Sequence, residues 1–441
     1  MNYKFSRYNV VAQRSSGGMV IANTLHRTLL QLNIIEAKLA RRYERKKLTA
    51  LPPALKAKLF SAGFLVSNST DELQAAVTKC FSDQFDIRYT ALTISPTLYC
   101  NLRCTYCYAK DHPPVHMTRL TERDICQIAS KLISRCNYLH VAWAGGEPLA
   151  RTETIVRLST ALKRLCATRG VRFDSSLITN GVFLTEKNAQ RLNTCNIHMV
   201  RITVDGLAPI HNKMRPGLDG APNFDQVIEG IQVALKFFPF VALSINIDRR
   251  NTTFIGELLK ELVDRRLTRC RLLLNRVTAH CQQASYLPED YLSVPEFARE
   301  ESRLLLLADS LGFSLANIDL SEIEPVNICG ALAGYHYALE PEGRMTRCWC
   351  EIGDANAGFN FNEGEKVKNI ASAGVTTDPN FLDDECRQCR YLPICYGGCP
   401  KDRSYPPVLD ASSKLHHRCT PRRFNLGNLL ELDLVRGLDV A

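Results

Sequence analysis

The chain has 441 residues, 45% of them hydrophobic and 23% charged, which is enough apolar material for more than one packed domain, and its formal net charge is +10. Its 18 cysteines would mean disulfides in a secreted chain, but MNYKFSRYNV lacks a signal-peptide core and no run approaches the roughly 18 apolar residues of a membrane span. With thiols clustered at metal-binding spacings, the reading is a cytoplasmic protein in a reducing compartment, with no membrane partner. The most basic run, Arg41 to Lys47 (RRYERKK), has only Tyr43 among its cations. It reads as a solvated helix end first, a surface for an acidic peptide second and a nucleic-acid contact last, so no nucleic-acid partner is expected.

Residues 1–88 form the first expected unit. Tyr8 to Gln13 and Met19 to Ala22 flank Ser15-Ser16-Gly17-Gly18, which predicts a β-hairpin. Helical segments are expected around 24–46 and 53–62, the second closed by Gly63 before the return Phe64-Leu65-Val66, and 72–88 reads as a linker helix.

Residues 89–315 alternate strand and helix patterns. Apolar runs at about 91–95, 139–143, 171–179, 197–204, 241–247 and 271–277 predict six strands. Between them lie helical stripes: Ile125, Ile128, Ala129, Leu132; Ile155, Leu158, Leu162, Leu165; Phe224, Val227, Ile228, Ile231, Leu235; and Ile255, Leu258, Leu259, Leu262. The first of these helices is expected to open on Thr121-x-x-Asp124. Strands alternating with helices mean a parallel sheet, and in βα barrels the chemistry sits at the C-terminal strand ends. Four sequence features fall there. Cys100, Cys104 and Cys107 stand in CNLRCTYCY, a three-thiol loop that suits soft metal chemistry yet lacks the fourth ligand of a structural zinc site. Gly145-Gly146-Glu147-Pro148 follows LHVAWA, its glycines permitting close backbone approach and its carboxylate able to accept from an ammonium. SSLITNG brings Asn180, and RITVDG brings Thr203 and Asp205, with His211 and Arg215 following in HNKMR.

Residues 316–441 carry the second constellation: Cys329, Gly343 and Cys348, then Cys386-x2-Cys389-x5-Cys395-x3-Cys399, then Cys419. Taken alone, the middle four also have zinc-ribbon spacing. Residues 355–385 read as a polar insertion, and Cys80, Cys126, Cys136, Cys166, Cys195, Cys270 and Cys281 as core thiols.

These motifs together resemble the radical S-adenosylmethionine (SAM) enzymes that carry a C-terminal SPASM domain, in particular the maturases of ribosomally made peptides, which are related to anaerobic sulfatase-maturating enzymes. The likeness runs from about 90 to 420, with Asn212 where the family's HDxxR stretch has Asp. It implies an α/β fold: a partial, laterally open (β/α)6 barrel, a SPASM domain and a winged-helix-like N-terminal segment. By the same resemblance, Cys100, Cys104 and Cys107 hold a [4Fe-4S] cluster with one open iron for SAM. Tyr106, Gly145, Gly146, Glu147, Asn180, Thr203, Asp205 and Arg215 contact SAM. Two auxiliary [4Fe-4S] clusters follow, the outer on Cys386, Cys389, Cys395 and Cys419, the inner on Cys329, Cys348 and Cys399. Three clusters would lower the net charge to roughly +5.

The inner cluster then lacks a ligand. Related enzymes often place it just before the position of Cys329, but residues 321–328 read SEIEPVNI. Cys350 is the nearest spare thiol, ahead of Cys281 and Cys270; either it completes the cluster or an iron stays open, and the expectation leans to an open iron.

The implied function is hydrogen abstraction from a precursor peptide with a leader, giving a thioether or carbon–carbon crosslink. A flavodoxin or ferredoxin would be the electron donor. The N-terminal unit resembles leader-gripping elements, with a barrel-stabilising cap as the alternative. Two other functions stand beside this one. An anaerobic sulfatase maturase would place Asp where Trp349 stands, and a non-catalytic iron–sulfur peptide-binding protein would have lost the three-thiol loop or the Gly-Gly-Glu turn, both of which are intact.

Overall fold

The computed structural model describes residues 3–14, 17–109, 111–278, 288–315, 329–361, 384–404 and 419–432. Its centre is a run of parallel strands in sequence order: β6 (Tyr89–Ile94), β7 (Tyr138–Trp143), β8 (Arg172–Thr179), β9 (Ile197–Thr203), β10 (Phe240–Ile247) and β11 (Arg271–Arg276). Alternation drives each of them. In β7 Leu139, Val141 and Trp143 are buried towards the outer helices while Tyr138, His140 and Ala142 take the other face, the lumen. The helices answer with stripes at three- and four-residue spacing, such as Ile155, Leu158, Leu162 and Cys166 of Thr152–Ala167. Each such side chain contributes about 1.5–3 kcal/mol by leaving water.

The sheet does not close. Beyond β11 lies the two-residue strand β12 (Ser314–Leu315). On the other side β6 pairs in parallel with β13 (His336–Leu339), which continues antiparallel into β14 (Arg344–Thr346) and β15 (Phe359–Asn360). The architecture is therefore the open six-unit barrel expected, with the C-terminal region stitched to it as sheet. Of the expected 355–385 insertion, Phe359 and Asn360 belong to that hairpin and residues 362–383 lie outside the described residues.

Two local expectations change. The first barrel helix, Arg119–Leu132, is capped by Thr118, whose hydroxyl accepts from the Thr121 N–H at 3.1 Å; Thr121 is already helical, and its own hydroxyl reaches the Pro341 carbonyl at 3.2 Å. Residues 24–32 are not helical: Thr28–Leu32 forms β4, pairing antiparallel with β3 (Met19–Asn23), which pairs with β2 (Asn9–Gln13) in the expected hairpin. The helix begins at Ile34 because Asn33 caps it and Glu36 reaches back to the Asn33 N–H at 3.0 Å, a full capping box. Helix Pro53–Ser61 ends before Gly63, at φ +78°, and β5 (Leu65–Ser67) pairs with β1 (Tyr3–Phe5).

This N-terminal unit is not a separate bead. Val10, Ala12, Val20, Ala22 and Leu29 share one core with Leu426, Leu429 and Leu430 of the last helix, Arg422–Glu431. That helix is locked to Val294–Ser310 by Arg422 and Asn425, both on the buried Glu301 carboxylate, at 2.6 and 2.8 Å. Arg7 and Thr24 donate to the carbonyls of Arg387 and Arg390, at 2.7 and 2.6 Å.

Candidate active site

The loop leaving β6 carries the three thiols and is held as a strand-like zipper. Arg103 and Thr105 N–H groups donate to the Pro216 and Met214 carbonyls at 2.8 and 2.9 Å, and Leu218 donates to Asn101 at 3.1 Å. The segment after Asp205 thereby fixes the spacing of Cys100, Cys104 and Cys107. Burial pushes the Cys100 and Cys104 thiols up to about 12, and Cys107 is raised by the same cause. Thiolates at such a place need a cation. The donor set fits an iron–sulfur cluster: the three sulfurs feel one another, the Leu102 and Ala109 N–H groups each point at a sulfur at 3.4 Å, and the Asn180 amide lies 3.8 Å from that of Cys100.

The Gly-Gly-Glu turn packs against this loop. Gly146 and Glu147 N–H groups donate to the Thr97 and Tyr99 carbonyls at 3.0 and 2.7 Å, and a Cβ on Gly146 would sit 2.3 Å from the Tyr99 carbonyl oxygen, so no side chain fits. Glu147 is 1% exposed. Its Oε1 accepts from Leu149 N–H and Thr179 hydroxyl at 3.0 and 2.7 Å, its Oε2 from Asn180 N–H at 2.8 Å. Of the about four acceptor positions of a carboxylate, one on Oε2 is left for a ligand's ammonium.

At the ends of β9 and β10 a buried ion pair is wrapped in hydrogen bonds. Asp205 accepts from the Asn246 N–H at 2.8 Å and from the Tyr106 hydroxyl, and lies 3.4 Å from Arg215. Arg215 and Asn246 both also donate to the Tyr106 oxygen. Burial pushes the Asp205 carboxyl up, opposed by Arg215 and these donors. The Asp205 N–H donates to His211 Nδ1 at 3.3 Å, which leaves Nε2 to donate to Asn223 at 3.1 Å; burial drops this imidazole to about 3, so it is neutral. Asn212 does what an aspartate would. Its carbonyl oxygen accepts from Asn223 and Phe224 N–H groups at 2.9 and 3.1 Å at the start of helix Phe224–Phe237. Thr203 ends β9 opposite Ser244. Asn246 is not among the expected site residues, although INID at a strand end repeats the pattern of LITN and ITVD; nor is Asn251, whose amide donates to the Asp205 and Asn246 carbonyls at 2.8 Å each.

Lower in the lumen His140, Asp174 and His198 converge from three strands, a grouping no local spacing announces. His140 is already paired to Asp174 at 2.7 Å and to Ser176 at 3.0 Å, and Tyr138 also donates to Asp174. His198 stands beside this pair, its Nδ1 3.9 Å from the Asp174 carboxylate.

The C-terminal thiols fall into two groups. Cys395 lies beside Cys389 and Cys419, with Gly397 and Thr420 N–H groups on its sulfur and the Arg423 guanidinium 3.2 Å from that of Cys419. Cys329 lies beside Cys348, with Ala331 and Leu332 N–H groups on its sulfur. Asp402 and Lys401, just past Cys399, adjoin Cys329 and Cys348 respectively. Cys386 starts the turn that Cys389 closes, its carbonyl accepting at 3.1 Å. Trp349–Glu351 is a 3-10 turn, and it brings the Cys350 thiol onto that of Cys348. Cys270 is fully buried in the barrel core, and Cys281 lies outside the described residues.

Thiols, glycine turn and ion pair thus meet at the mouth of an open parallel barrel. Residues 94–253 match the model of the Radical SAM superfamily; this part of the chain is a radical SAM domain, and that family implies SAM and a [4Fe-4S] cluster. The GTP 3',8-cyclase of Rhodopirellula baltica is 31% identical over 160 residues, 35% of this chain and 41% of that one. The Lactiplantibacillus plantarum enzyme is 32% identical over 168 residues, 37% and 47%. The chain thus spans less than half the length of these curated relatives. Among solved structures, native anSMEcpe with bound AdoMet and Cp18Cys peptide aligns over 79% of this chain and 98% of its own, with TM-score 0.59 and 20% identity. Streptococcus suis SuiB bound to precursor peptide SuiA aligns over 93% and 99%, with TM-score 0.53 and 14% identity, a likeness of fold. Among the described residues no helix is long and apolar enough to cross a membrane.

Proposed function

We propose that the protein is a peptide maturase: it abstracts hydrogen from a ribosomally made precursor and leaves a thioether or carbon–carbon crosslink. The observation that carries this reading is the C-terminal thiol region, joined to the barrel as a continuation of its sheet through β13 to β15. Bound SAM and a reduced [4Fe-4S] cluster supply one chemistry, a 5'-deoxyadenosyl radical able to take hydrogen from an unactivated C–H bond. Cys100, Cys104 and Cys107 would hold that cluster. Gly145, Gly146 and Glu147, Asn180, and the Asp205–Tyr106–Arg215 network with Thr203 would hold and orient SAM. Cys386, Cys389, Cys395 and Cys419, and separately Cys329, Cys348 and Cys399, would hold two auxiliary clusters that accept the substrate's second electron from a site fed by a flavodoxin- or ferredoxin-type donor.

Residues 1–88, 89–315 and 316–441 would then act as recognition element, barrel and SPASM domain. A groove of about 740 Å³ on the N-terminal unit supports a peptide partner, for Lys4, Arg7, Lys46 and Arg390 line it against the single acid Glu44. An acidic leader suits that charge.

A second reading, a purine nucleotide substrate, is favoured by the cyclase relatives and by Arg201. This lumen guanidinium is largely buried and bonded only to neutral partners among the described residues, Ser244 and Asn275, at 2.9 and 3.2 Å. A formylglycine-forming activity is disfavoured, since the residue after Cys348 is Trp349, half exposed and without a carboxylate.

The deciding experiment is co-expression with the short open reading frame nearest the gene, followed by mass analysis, alongside purified enzyme offered GTP. Loss of two hydrogens per event in the peptide is expected. 5'-Deoxyadenosine formation stimulated by GTP, with the peptide unchanged, would overturn the proposal.

A further inference from the structure

We infer that Cys350 is the fourth protein ligand of the inner C-terminal cluster, so that every iron there is capped by the protein and the substrate cannot ligate it. The inference rests on reading the C-terminal thiols as cluster ligands, and goes one step beyond it.

In an extended backbone the side chains of residues i and i+2 share a face and i and i+1 do not. The geometry at 348–350 is settled differently, by a turn. Cys348 is still extended, at φ −110° and ψ 131°, and Trp349–Glu351 then coils. Glu351 and Ile352 N–H groups return to the Cys348 and Trp349 carbonyls at 3.0 and 3.2 Å, while the Glu351 carboxylate accepts from the Cys348 N–H at 3.4 Å. Lys401, two residues after Cys399, pins that same carboxylate at 3.6 Å. Trp349 is turned outward, 42% exposed, and the two flanking thiols lie close enough to act on one another.

The neighbours complete the picture. Cys350 packs on the same buried group as Cys348, Leu392 and Tyr396, and Cys329 is near enough to Cys348 to interact with it electrostatically. One turn therefore delivers two thiols to a place where Cys329 and the start of helix Pro400–Ser404, just after Cys399, already converge. Four thiolates are what a closed [4Fe-4S] cluster requires. Of the other described thiols, Cys270, Cys166 and Cys195 sit in the barrel core and Cys126 and Cys136 pack against it, while Cys80 is buried in the same apolar group as Cys348 but has Asp83 and no cluster thiol as its charged neighbour. A capped cluster is confined to outer-sphere electron transfer, so any substrate thiol reacts at the radical site and not on this iron.

The test uses full-length protein with Cys100, Cys104 and Cys107 all changed to alanine, reconstituted without oxygen so that only C-terminal clusters contribute. The expected iron content is about eight per chain. Added 2-mercaptoethanol or cyanide should leave the electron paramagnetic resonance spectrum and the reduction potentials unchanged. Cys350→Ala should either lose about four irons or acquire a spectrum that responds to the same ligands, and Cys350→Ser should retain iron with a shifted potential. A starting protein whose spectrum changes with 2-mercaptoethanol, together with a Cys350→Ala variant identical to it in iron, potential and response, overturns the inference. So does a Cys348–Cys350 disulfide in the reconstituted protein. Cys348→Ala and Cys386→Ala separate the two levels: if neither loses iron, the cluster reading of the whole C-terminal region has failed, whatever Cys350 does.

Discussion

The barrel mouth and the C-terminal thiol region both gather cysteines, but they are built in opposite ways. At the mouth the three thiols lie within one loop, and that loop is bonded by its own backbone to residues 214–218 and by the Gly-Gly-Glu turn to residues 97–99. Backbone hydrogen bonds therefore help set the spacing of these three sulfurs. In the C-terminal region the thiols come from turns, bends and helices of four or five residues, such as Asp384–Gln388 and Leu392–Cys395, spread over residues 329–419. There the metal would tie these short elements onto a small apolar group, and binding and folding become one free energy. The same substitution should therefore have different consequences in the two places.

The largest effect tests that difference directly. Cys104→Ala should bring 5'-deoxyadenosine formation to background while the melting temperature of the reconstituted protein stays within ~2 °C. Cys395→Ala should remove iron and lower the melting temperature by well over ~4 °C. Equal melting temperatures for the two variants would erase the contrast.

The buried ion pair probes the mouth's own frame. Arg215→Met leaves the fully buried Asp205 carboxylate without its cation, and the expected loss is about 3–5 kcal/mol in an anaerobic denaturant melt. Arg215→Met with Asp205→Asn should recover part of it.

A smaller effect comes from pH. His211 is neutral in the folded state, held at about 3, against 6.5 when exposed. Between those values the unfolded chain binds the extra proton, so this group's contribution is complete above pH 6.5 and falls as pH drops; at pH 5.5 the loss is about 1.4 kcal/mol. Glu340 opposes it, because burial raises its carboxyl to about 7 and makes its contribution fade as pH rises from 4.5 towards 7. Comparing melts of His211→Gln with the parent across pH 7 to 5.5 isolates the histidine: the variant's curve should be flatter by that amount.

The smallest effect is expected at Asn212. Asn212→Ala removes the acceptor at the start of helix Phe224–Phe237 and should cost about 1 kcal/mol, with SAM cleavage unchanged. Asn212→Asp should gain about 0.3–1 kcal/mol from the helix dipole. A change in cleavage rate with either would mean that this position touches the reaction.

The N-terminal unit sharpens the comparison from another side. Because Val10, Val20 and Leu29 cover Leu426, Leu429 and Leu430, deleting residues 1–70 would expose the last helix, and loss of peptide turnover by such a truncation would say nothing about recognition. Charge reversal at Lys4 and Lys46, which line the groove, is the cleaner probe: peptide affinity should fall several-fold with 5'-deoxyadenosine formation intact.

The sequence by itself determined the barrel and the local motifs at its mouth. The three-thiol loop, Gly-Gly-Glu and the LITN and ITVD strand ends are local, a few residues each, and the six strands announce themselves because one face of every strand must be apolar to meet a helix. Residues 28–32 were misread as helix because a five-residue strand rich in leucine has no periodicity of its own, and only pairing with β3 decides it. Likewise β13 to β15 are two to four residues long, and β13 exists because β6, more than two hundred residues earlier, offers it an edge. Cys350 shows the same limit at the scale of one turn. Whether residues two apart share a direction depends on the backbone between them, and here that backbone is set by Glu351 and a lysine fifty residues away. Short-range periodicity records which face is buried; which distant edge or charge a segment meets is a property of the packed chain.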